Sequence, residues 1–276
     1  MNLKYTNTWY TSQVPDDLKD YVVIDVTSRV LRDKEFMLEH PHFHQDVSPF
    51  YLGPLTSSDG LKCRIFEHFW QASKVFPCHL TCGELNPEFF AWRKKWYDME
   101  RVKNKTESRR PHSVLGYKDS DCLFSIYYEN GEYQRLTYVE ARKKMYVPEY
   151  AKLVVKTEGY KWIKSLYDEG KKIALVDFDG YNYYYDVAKE KLYNSYVNKC
   201  KHPTVSKEEY LALDNMKKVI DCGFTPAGHS FIIKMLLEGD IEVVDDKVID
   251  HIHALDIEKG RNLSPSHQKV NCELTY

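Results

Sequence analysis

The chain has 276 residues, of which 43% are hydrophobic and 14% aromatic, so it can bury a substantial core. Its formal net charge of −2 gives no global electrostatic reason to bind nucleic acid, so any such contact must be local. The N-terminal stretch "MNLKYTNTWYTSQVPDD" lacks the features of a signal peptide, and no apolar run approaches the ~18 residues of a membrane span. These observations predict a globular, cytoplasmic protein with no membrane partner.

The cysteine and histidine patterns bear on redox state and metal binding. The seven cysteines are scattered and odd in number, which favours reduced thiols over a disulfide framework. "PCHLTC" (77–82) offers two cysteines and a histidine to zinc, but a second ligand pair at the usual spacing is missing. "HPHFH" (40–44) aligns its histidines on one face of an extended segment, again without a fourth ligand. The sequence therefore predicts no metal and no cofactor.

The first third of the chain predicts a strand, a loop and two helices in turn. "YVVIDVTSRVL" (21–31) is rich in β-branched residues, which favours a strand. "SPFYLGPLTSSDG" (48–60) carries the prolines and glycines that are typical of a loop. One helix is predicted from about Phe66. A second is predicted over "NPEFFAWRKKWYDMERVKNK", with Asn86 as N-cap and Pro87 as first helical residue.

The rest of the chain predicts a hairpin, further helices and one buried strand. Asn130–Gly131 lies between two aromatic runs, which is a hairpin signal. Helices are predicted over "VEARKKMY" and "PEYAKLVVKTEGYKWIKSLYDEG", with Pro148 interrupting them and Gly170 closing the second. "IALV" (173–176) has the composition of a buried strand, and the apolar run after His229 has the length of a helix or a strand.

The predicted elements together define the fold class. Helical stretches outnumber strands, and neither repeats nor a low-complexity linker divides the chain. The sequence therefore predicts an α+β fold, predominantly helical with a small sheet, in a single domain over residues 1–276. Nothing in the sequence decides the oligomeric state.

The stretch "EHFWQASK" (67–74) is the first candidate site. At about 100° per residue, Glu67, Gln71 and Lys74 fall close together on a helix, beside a bulky stripe that includes Trp70. An ordinary surface helix can carry such a polar stripe for solubility. Alternatively, the stripe forms one wall of a ligand pocket.

Two further stretches place polar residues next to apolar elements. Asp177 and Asp179 follow the predicted buried strand, where carboxylates are well placed for catalysis or ligand contact. Either aspartate can instead cap a turn. His229 stands at the mouth of an apolar run, where it contacts a ligand or plays a structural part.

The order of these motifs resembles the signature of the NADAR family, which is associated with NAD and ADP-ribose. That family has a turn made of a small residue, Asn or Pro, and Phe, followed by an Asp-Gly loop and an E-H-aromatic-aromatic-Q-A-x-K helix. The matching residues here are Ser48, Pro49, Phe50, Asp59, Gly60, Glu67, His68, Phe69, Trp70, Gln71, Ala72 and Lys74. The stretches "VEARKKMY", "VDFDGYNY" and "AGHSFIIKMLLEG" are similar to later family segments, so the resemblance covers about 45–240. Pro49 stands where the family usually has asparagine, so the chain resembles a divergent branch, and its "EARKK" and "DFDG" stretches are similar to those of phage and bacterial relatives.

The resemblance implies hydrolysis of an N-glycosidic bond in the cytoplasm. Its implied partner is an ADP-ribose-containing nucleotide or ADP-ribosylated nucleic acid. Breaking a C1′–N bond builds positive charge on the ribose, so a nearby carboxylate stabilises the transition state. The catalytic residues implied are Glu67, Lys74 and Asp179. Glu67 or Asp179 supplies the carboxylate, while Lys74 holds phosphates, contacts the ribose or attacks C1′ as an amine.

The resemblance also implies a set of substrate-binding residues. An aromatic side chain of the set can stack on a base, and its basic residues can hold phosphates. The basic clusters can instead be solvated faces of helices. The implied residues are Ser48, Phe50, Gly60, His68, Phe69, Trp70, Gln71, Arg110, Arg142, Lys143, Asp177 and His229.

Two alternatives remain open at the level of sequence. One is a non-catalytic protein that binds a nucleotide or ADP-ribose, or a phage-encoded inhibitor that kept the pocket. The other is a haloacid-dehalogenase-like phosphatase, since "ALVDFDG" resembles the nucleophile loop of those enzymes. Tyr181 replaces their usual Thr or Val, and only about a third of the chain follows Gly180 to complete their sheet.

Overall fold

The computed structural model describes residues 3–6, 18–27, 45–100, 111–177, 215–221, 223 and 227–255. Helices occupy more of these residues than strands do, and the strands form small sheets, so the predicted α+β fold is confirmed. The described residues form two compact units, the first from Met1–Leu52 and Tyr146–Leu255 and the second around Gly53–Met145. A single domain stays a prediction. No helix in the described ranges is long and apolar enough to cross a membrane.

The elements have the following bounds. The strands are β1 (Leu3–Thr6), β2 (Val22–Asp25), β3 (Leu55–Thr56), β4 (Lys62–Cys63), β5 (Lys74–Val75), β6 (Leu80–Thr81), β7 (Glu84–Leu85), β8 (Phe124–Glu129), β9 (Glu132–Leu136), β10 (Ile173–Val176), β11 (Ile241–Val244) and β12 (Lys247–Asp250). The helices are α1 (Phe66–Ala72), α2 (Pro87–Asp98), α3 (Pro111–Val114), α4 (Tyr138–Ala141), α5 (Val147–Val154), α6 (Glu158–Asp168), α7 (Asn215–Asp221) and α8 (His229–Glu238). A π-helical turn, Arg142–Tyr146, joins α4 to α5.

A parallel sheet with the strand order β1-β10-β2 organises the first unit. The central strand β10 is buried at every position, as expected for a parallel strand that is covered on both faces. This confirms the predicted strand over 173–176 and the early strand around Val22. Val176 pairs with Asp25, so Asp25 and Asp177 both lie at the carboxyl edge of the sheet.

Helices α5 and α6 of the first unit pack against α8, which also contacts β1 and β11. The apolar run after His229 is therefore a helix. Gly170 lies just beyond α6 with a φ of 74°, which confirms the predicted closure.

The predicted interruption at Pro148 is wrong, because the backbone stays helical from α4 through the π-helical turn into α5. The π-helical turn lies just before Pro148. Because proline has no backbone N–H, it needs no hydrogen-bond partner in this widened turn, and the helix continues past it. The break comes later instead, at Thr157, which caps α6.

The second unit combines α1 and α2 with a three-stranded sheet in the order β5-β8-β9. Asn130 and Gly131 join β8 to β9 with φ values of 55° and 90°, which confirms the predicted hairpin. The predicted cap of α2 is also confirmed, since Asn86 Oδ1 accepts a hydrogen bond from Phe89 N at 3.0 Å. An apolar cluster around Val75, Phe89 and Ile126 holds α2 against the sheet.

Candidate functional site

Helix α1 carries most of the residues that the sequence singles out. The backbone of Ile65 is extended, and its carbonyl accepts from Phe69 N at 3.1 Å to open the helix. Every residue of α1 is buried, because the helix packs against α2, α3 and β5. The alternative of a solvated surface helix is therefore wrong: the polar stripe lies inside the second unit.

Glu67 and Gln71 form a buried pair on α1. Gln71 Nε2 donates to Glu67 Oε1 at 3.0 Å, and each residue is 6% exposed. The prediction that both side chains share one face of the helix is confirmed. Because the amide nitrogen of Gln71 donates to Glu67, its carbonyl Oε1 points elsewhere. Gln71 Oε1 has no hydrogen-bond partner among the described residues, although it is buried.

Lys74 belongs to a strand and not to the helix. Helix α1 ends at Ala72, and Lys74 pairs with Ser125 in strands β5 and β8. The sequence-based placement of Lys74 on the helix is thus wrong, because the pairing with β8 overrides local periodicity. Its ammonium is nevertheless buried and lies 5.5 Å from the centre of the Trp70 ring.

The Lys74 ammonium pairs with Asp119, which in turn contacts His112, and the sequence analysis singled out neither residue. Asp119 Oδ1 lies 3.0 Å from Lys74 Nζ and 3.1 Å from His112 Nε2. Asp119 is half exposed, whereas Lys74 and His112 are buried. Neither Asp119 nor His112 belongs to a periodic or motif-like pattern, so only tertiary structure brings Asp119 to Lys74 and His112 to Asp119.

Aromatic rings connect α1 to the segment that contains Arg142. The Trp70 and Tyr138 rings are 6.1 Å apart, and the Arg142 guanidinium lies 4.6 Å from the Tyr138 ring centre. Arg142 is almost fully buried at 1% exposure, so it does not lie on a solvated face. Lys143 is half-buried on the same turn. The structure thus brings Trp70 and Arg142 to one aromatic ring, and their roles in binding stay predictions.

The Asp-Gly loop is tied to α2 through the Asp59 carboxylate. Arg93 forms an ion pair with Asp59, Ser57 donates to it, and Tyr133 OH donates to it at 2.8 Å. Burial by itself raises the pKa of Asp59, but these hydrogen bonds outweigh it and lower the pKa from 3.8 to about 2. Gly60 follows with a φ of 79°, a conformation that favours glycine, and its role in binding stays a prediction.

His68 and Phe69 face different neighbours from Glu67. The His68 ring lies 5.3 Å from the Trp96 ring in an edge contact, and the Phe69 ring lies 6.4 Å from that of Tyr97. Burial lowers the pKa of His68, which favours a neutral imidazole. The structure does not bring these two side chains to the Glu67–Gln71 pair, and their proposed contact with substrate stays a prediction.

Four of the predicted binding residues belong to the first unit. Ser48 is buried and its hydroxyl accepts from Phe50 N at 3.4 Å, which shapes the turn of the "SPF" motif. Asp177 Oδ2 lies 3.2 Å from His229 Nδ1 and accepts from Ser230 N at 3.3 Å. Asp177 therefore caps the first turn of α8, a contact across the fold that differs from a cap of its own turn.

His229 is held from both sides of its ring. Its Nδ1 faces Asp177, and its Nε2 lies within hydrogen-bond distance of the Val26 carbonyl oxygen. Tyr150 packs on the ring at 5.8 Å, and its own hydroxyl donates to Val47 O at 2.6 Å. These contacts lock the start of α8 onto the carboxyl edge of the parallel sheet.

Two predicted site residues lie outside the described residues. They are Asp179, the second carboxylate, and Arg110, one of the basic residues. The expectation that Glu67 and Asp179 face one cavity therefore stays a prediction.

In the "PCHLTC" segment, which the sequence analysis considered as a zinc site, His79 is buried and hydrogen-bonded to the backbone. Burial lowers the pKa of His79 to about 4, and its Nδ1 accepts from Phe76 N at 3.2 Å. Within the described ranges, no group of three or more His, Cys, Asp or Glu side chains is placed to hold a metal ion.

No protein-family model, no curated protein and no solved structure matches this chain. The similarity to NADAR proteins therefore rests on the motifs themselves, and the activity that it implies is a proposal.

Proposed function

We propose that the protein hydrolyses an N-glycosidic bond in an ADP-ribosylated nucleobase or a related nucleotide-sugar substrate. The observation that carries this proposal is the buried Glu67–Gln71 pair on α1. Burying a carboxylate and an amide is costly unless every polar atom has a partner. The Gln71 carbonyl has none among the described residues, which favours a site that is completed by a ligand over a purely structural pair.

Glu67 supplies the charge that the reaction needs. As the C1′–N bond breaks, its electron pair leaves with the base nitrogen and positive charge develops at C1′. The Glu67 carboxylate stabilises that charge, in a buried place where electrostatic interactions are strong. Water then adds its oxygen to C1′, and the proton that it loses balances the one that the leaving base takes up.

Lys74 acts as a cation in this scheme. Its ammonium donates to Asp119 Oδ1 at 3.0 Å, and an ammonium has no lone pair for attack on C1′. An ammonium has three donors, so the contact with Asp119 leaves donors for phosphate oxygens. Of the three roles that the resemblance allows for Lys74, the ion pair supports phosphate or ribose contact.

The base is expected to lie against the aromatic rings. Tyr138 is 37% exposed and contacts Trp70 on one side and the Arg142 guanidinium on another. An aromatic ring backed by a guanidinium is a suitable face for stacking a purine.

The phosphatase alternative has less support. An aspartyl nucleophile must reach its substrate, whereas the Asp177 side chain is 1% exposed and caps α8. Asp179, the other carboxylate of that loop, lies outside the described residues.

Glu67→Gln tests the proposal, because it keeps the shape of the side chain and removes its charge. We expect single-turnover cleavage of an ADP-ribosylated oligonucleotide to slow by ~10²-fold or more, since the carboxylate acts mainly in the transition state. Affinity for ADP-ribose should change by less than about tenfold. Glu132→Gln is the matched control, because Glu132 accepts from Gln134 at 3.2 Å at the surface.

A melting curve of each variant excludes unfolding as the cause of lost activity. Wild-type cleavage rates in Glu67→Gln would make Glu67 structural and leave Asp179 as the candidate carboxylate. Binding of ADP-ribose without turnover in the wild-type protein would favour the non-catalytic alternative.

A further inference from the structure

The buried carbonyl of Gln71 can be satisfied by only one kind of ligand group. The Gln71 amide nitrogen donates to Glu67 Oε1 at 3.0 Å. If the amide group rotated by 180°, its carbonyl oxygen would face the Glu67 oxygen, and two hydrogen-bond acceptors would repel each other. The remaining atom, Oε1, is a hydrogen-bond acceptor that is buried and has no partner in the part of the chain that the structure describes. A ligand that completes this site must therefore bring an O–H or N–H donor, and not an anion.

The position of Gln71 limits which donor this is. Gln71 lies next to Glu67 through a direct hydrogen bond, and Glu67 is the carboxylate placed at C1′ in the proposed function. The group beside C1′ on a ribose is the 2′-hydroxyl. In glycoside hydrolysis, hydrogen bonds to that hydroxyl strengthen as the transition state forms, so an acceptor at this place also serves the chemistry.

We propose that Gln71 accepts a hydrogen bond from the 2′-hydroxyl of the ribose whose C1′–N bond is cleaved. This inference rests on the proposed function and narrows its substrate class to ribosyl over 2′-deoxyribosyl compounds. In an ADP-ribosylated deoxynucleotide, it selects the bond to the ADP-ribose and not the bond to the deoxyribose. A site that is built to bind a hydroxyl discriminates against an analogue without it, because the buried acceptor is then left unpaired.

The test is the affinity ratio between two ligands. ADP-ribose is compared with the analogue that lacks the 2′-hydroxyl on its terminal ribose, by titration calorimetry. We expect the wild-type protein to bind ADP-ribose about tenfold or more tightly than the analogue. In Gln71→Met, which keeps the length of the side chain and removes the acceptor, the ratio should fall to about one. If the substitution also disturbs Glu67, it weakens the binding of both ligands alike, and the ratio of their affinities is unaffected.

Gln134→Met is the matched control, because it removes an amide that donates to a glutamate at the surface. It should keep the wild-type ratio. Equal affinities in the wild-type protein overturn the inference, because Gln71 Oε1 then accepts from another donor such as a buried water. The proposed function is not affected by that outcome. A preference that survives in Gln71→Met also overturns it. If neither ligand binds, the proposed function fails together with the inference. Should Gln71→Met not fold, equal affinities in the wild-type protein still overturn the inference.

Discussion

Asp59 holds the loop before α1 against α2 through a carboxylate with three different donors. Asp59→Asn removes the charge and leaves the Arg93 guanidinium, which is 2% exposed, without its counter-ion. Because breaking a buried ion pair strands a charge, we expect a loss of ~3 kcal/mol or more in the free energy of unfolding. Urea denaturation measures this loss. Asp98→Asn is the control, since Asp98 pairs with Lys94 at the surface and should contribute less than about 1 kcal/mol.

The contribution of the Asp59 carboxylate to the free energy of unfolding should depend on pH. The pKa of Asp59 is lowered from 3.8 to about 2, so its stabilisation is fully present above pH 3.8 and is lost as the pH falls through about 2. The difference between wild type and Asp59→Asn should therefore narrow between those two values. A difference that is independent of pH over this range would show that the Asp59 charge does not support the fold.

At the scale of single elements, α4 begins with a capping box that supports the aromatic part of the site. Thr137 Oγ1 accepts from Glu140 N at 3.3 Å, and Glu140 Oε2 accepts from Thr137 N at 2.8 Å. Thr137→Ala should lower the free energy of unfolding by ~1 kcal/mol, the usual effect of losing an N-cap. Thr137→Ser keeps the hydroxyl and should stay near wild type in the same urea titration. Equal stability of all three proteins would mean that the cap contributes nothing.

Local signals in the sequence predict those elements whose ends are set by their own residues. Asn86 caps α2 with its own side chain, and Asn130–Gly131 makes its turn through its own left-handed backbone, so both were predictable. Helical periodicity groups Lys74 with Glu67, but the strand pairing of Lys74 with Ser125 decides its place. Periodicity cannot show such a pairing, because the partner lies far along the chain.

At the scale of the whole molecule, distant segments build both the sheet and the candidate site. The first unit pairs β10 with β1 and β2, which come from the beginning of the chain. In the second unit, Asp119 reaches Lys74, and His112 contacts Asp119, from a segment without any motif. The Glu67–Gln71 contact was predictable because both residues lie one turn apart on one helix, whereas contacts made by tertiary folding were not.

The rates at which the described cysteines react with a thiol reagent report whether the second unit is folded. Burial raises the pKa of the Cys63 thiol from 9.0 to about 12, which by itself reduces its reactive thiolate by about a thousandfold. Cys78 and Cys82 are exposed free thiols. In the folded protein, iodoacetamide should therefore modify these two exposed thiols far faster than the buried Cys63, as read by site-resolved mass spectrometry.

Guanidinium-unfolded protein provides the control, because all thiols there are equally accessible and their rates should converge. The site-resolved measurement keeps Cys200, Cys222 and Cys272, which lie outside the described residues, apart from the comparison. The Cys63 thiol donates a hydrogen bond to the carbonyl oxygen of Ile65 at 3.2 Å. Ile65 is the residue directly before the first helical residue of α1. Rapid labelling of Cys63 in the folded protein would thus mean that the chain opens next to α1, and it would contradict the buried Glu67–Gln71 pair on which the proposed function depends.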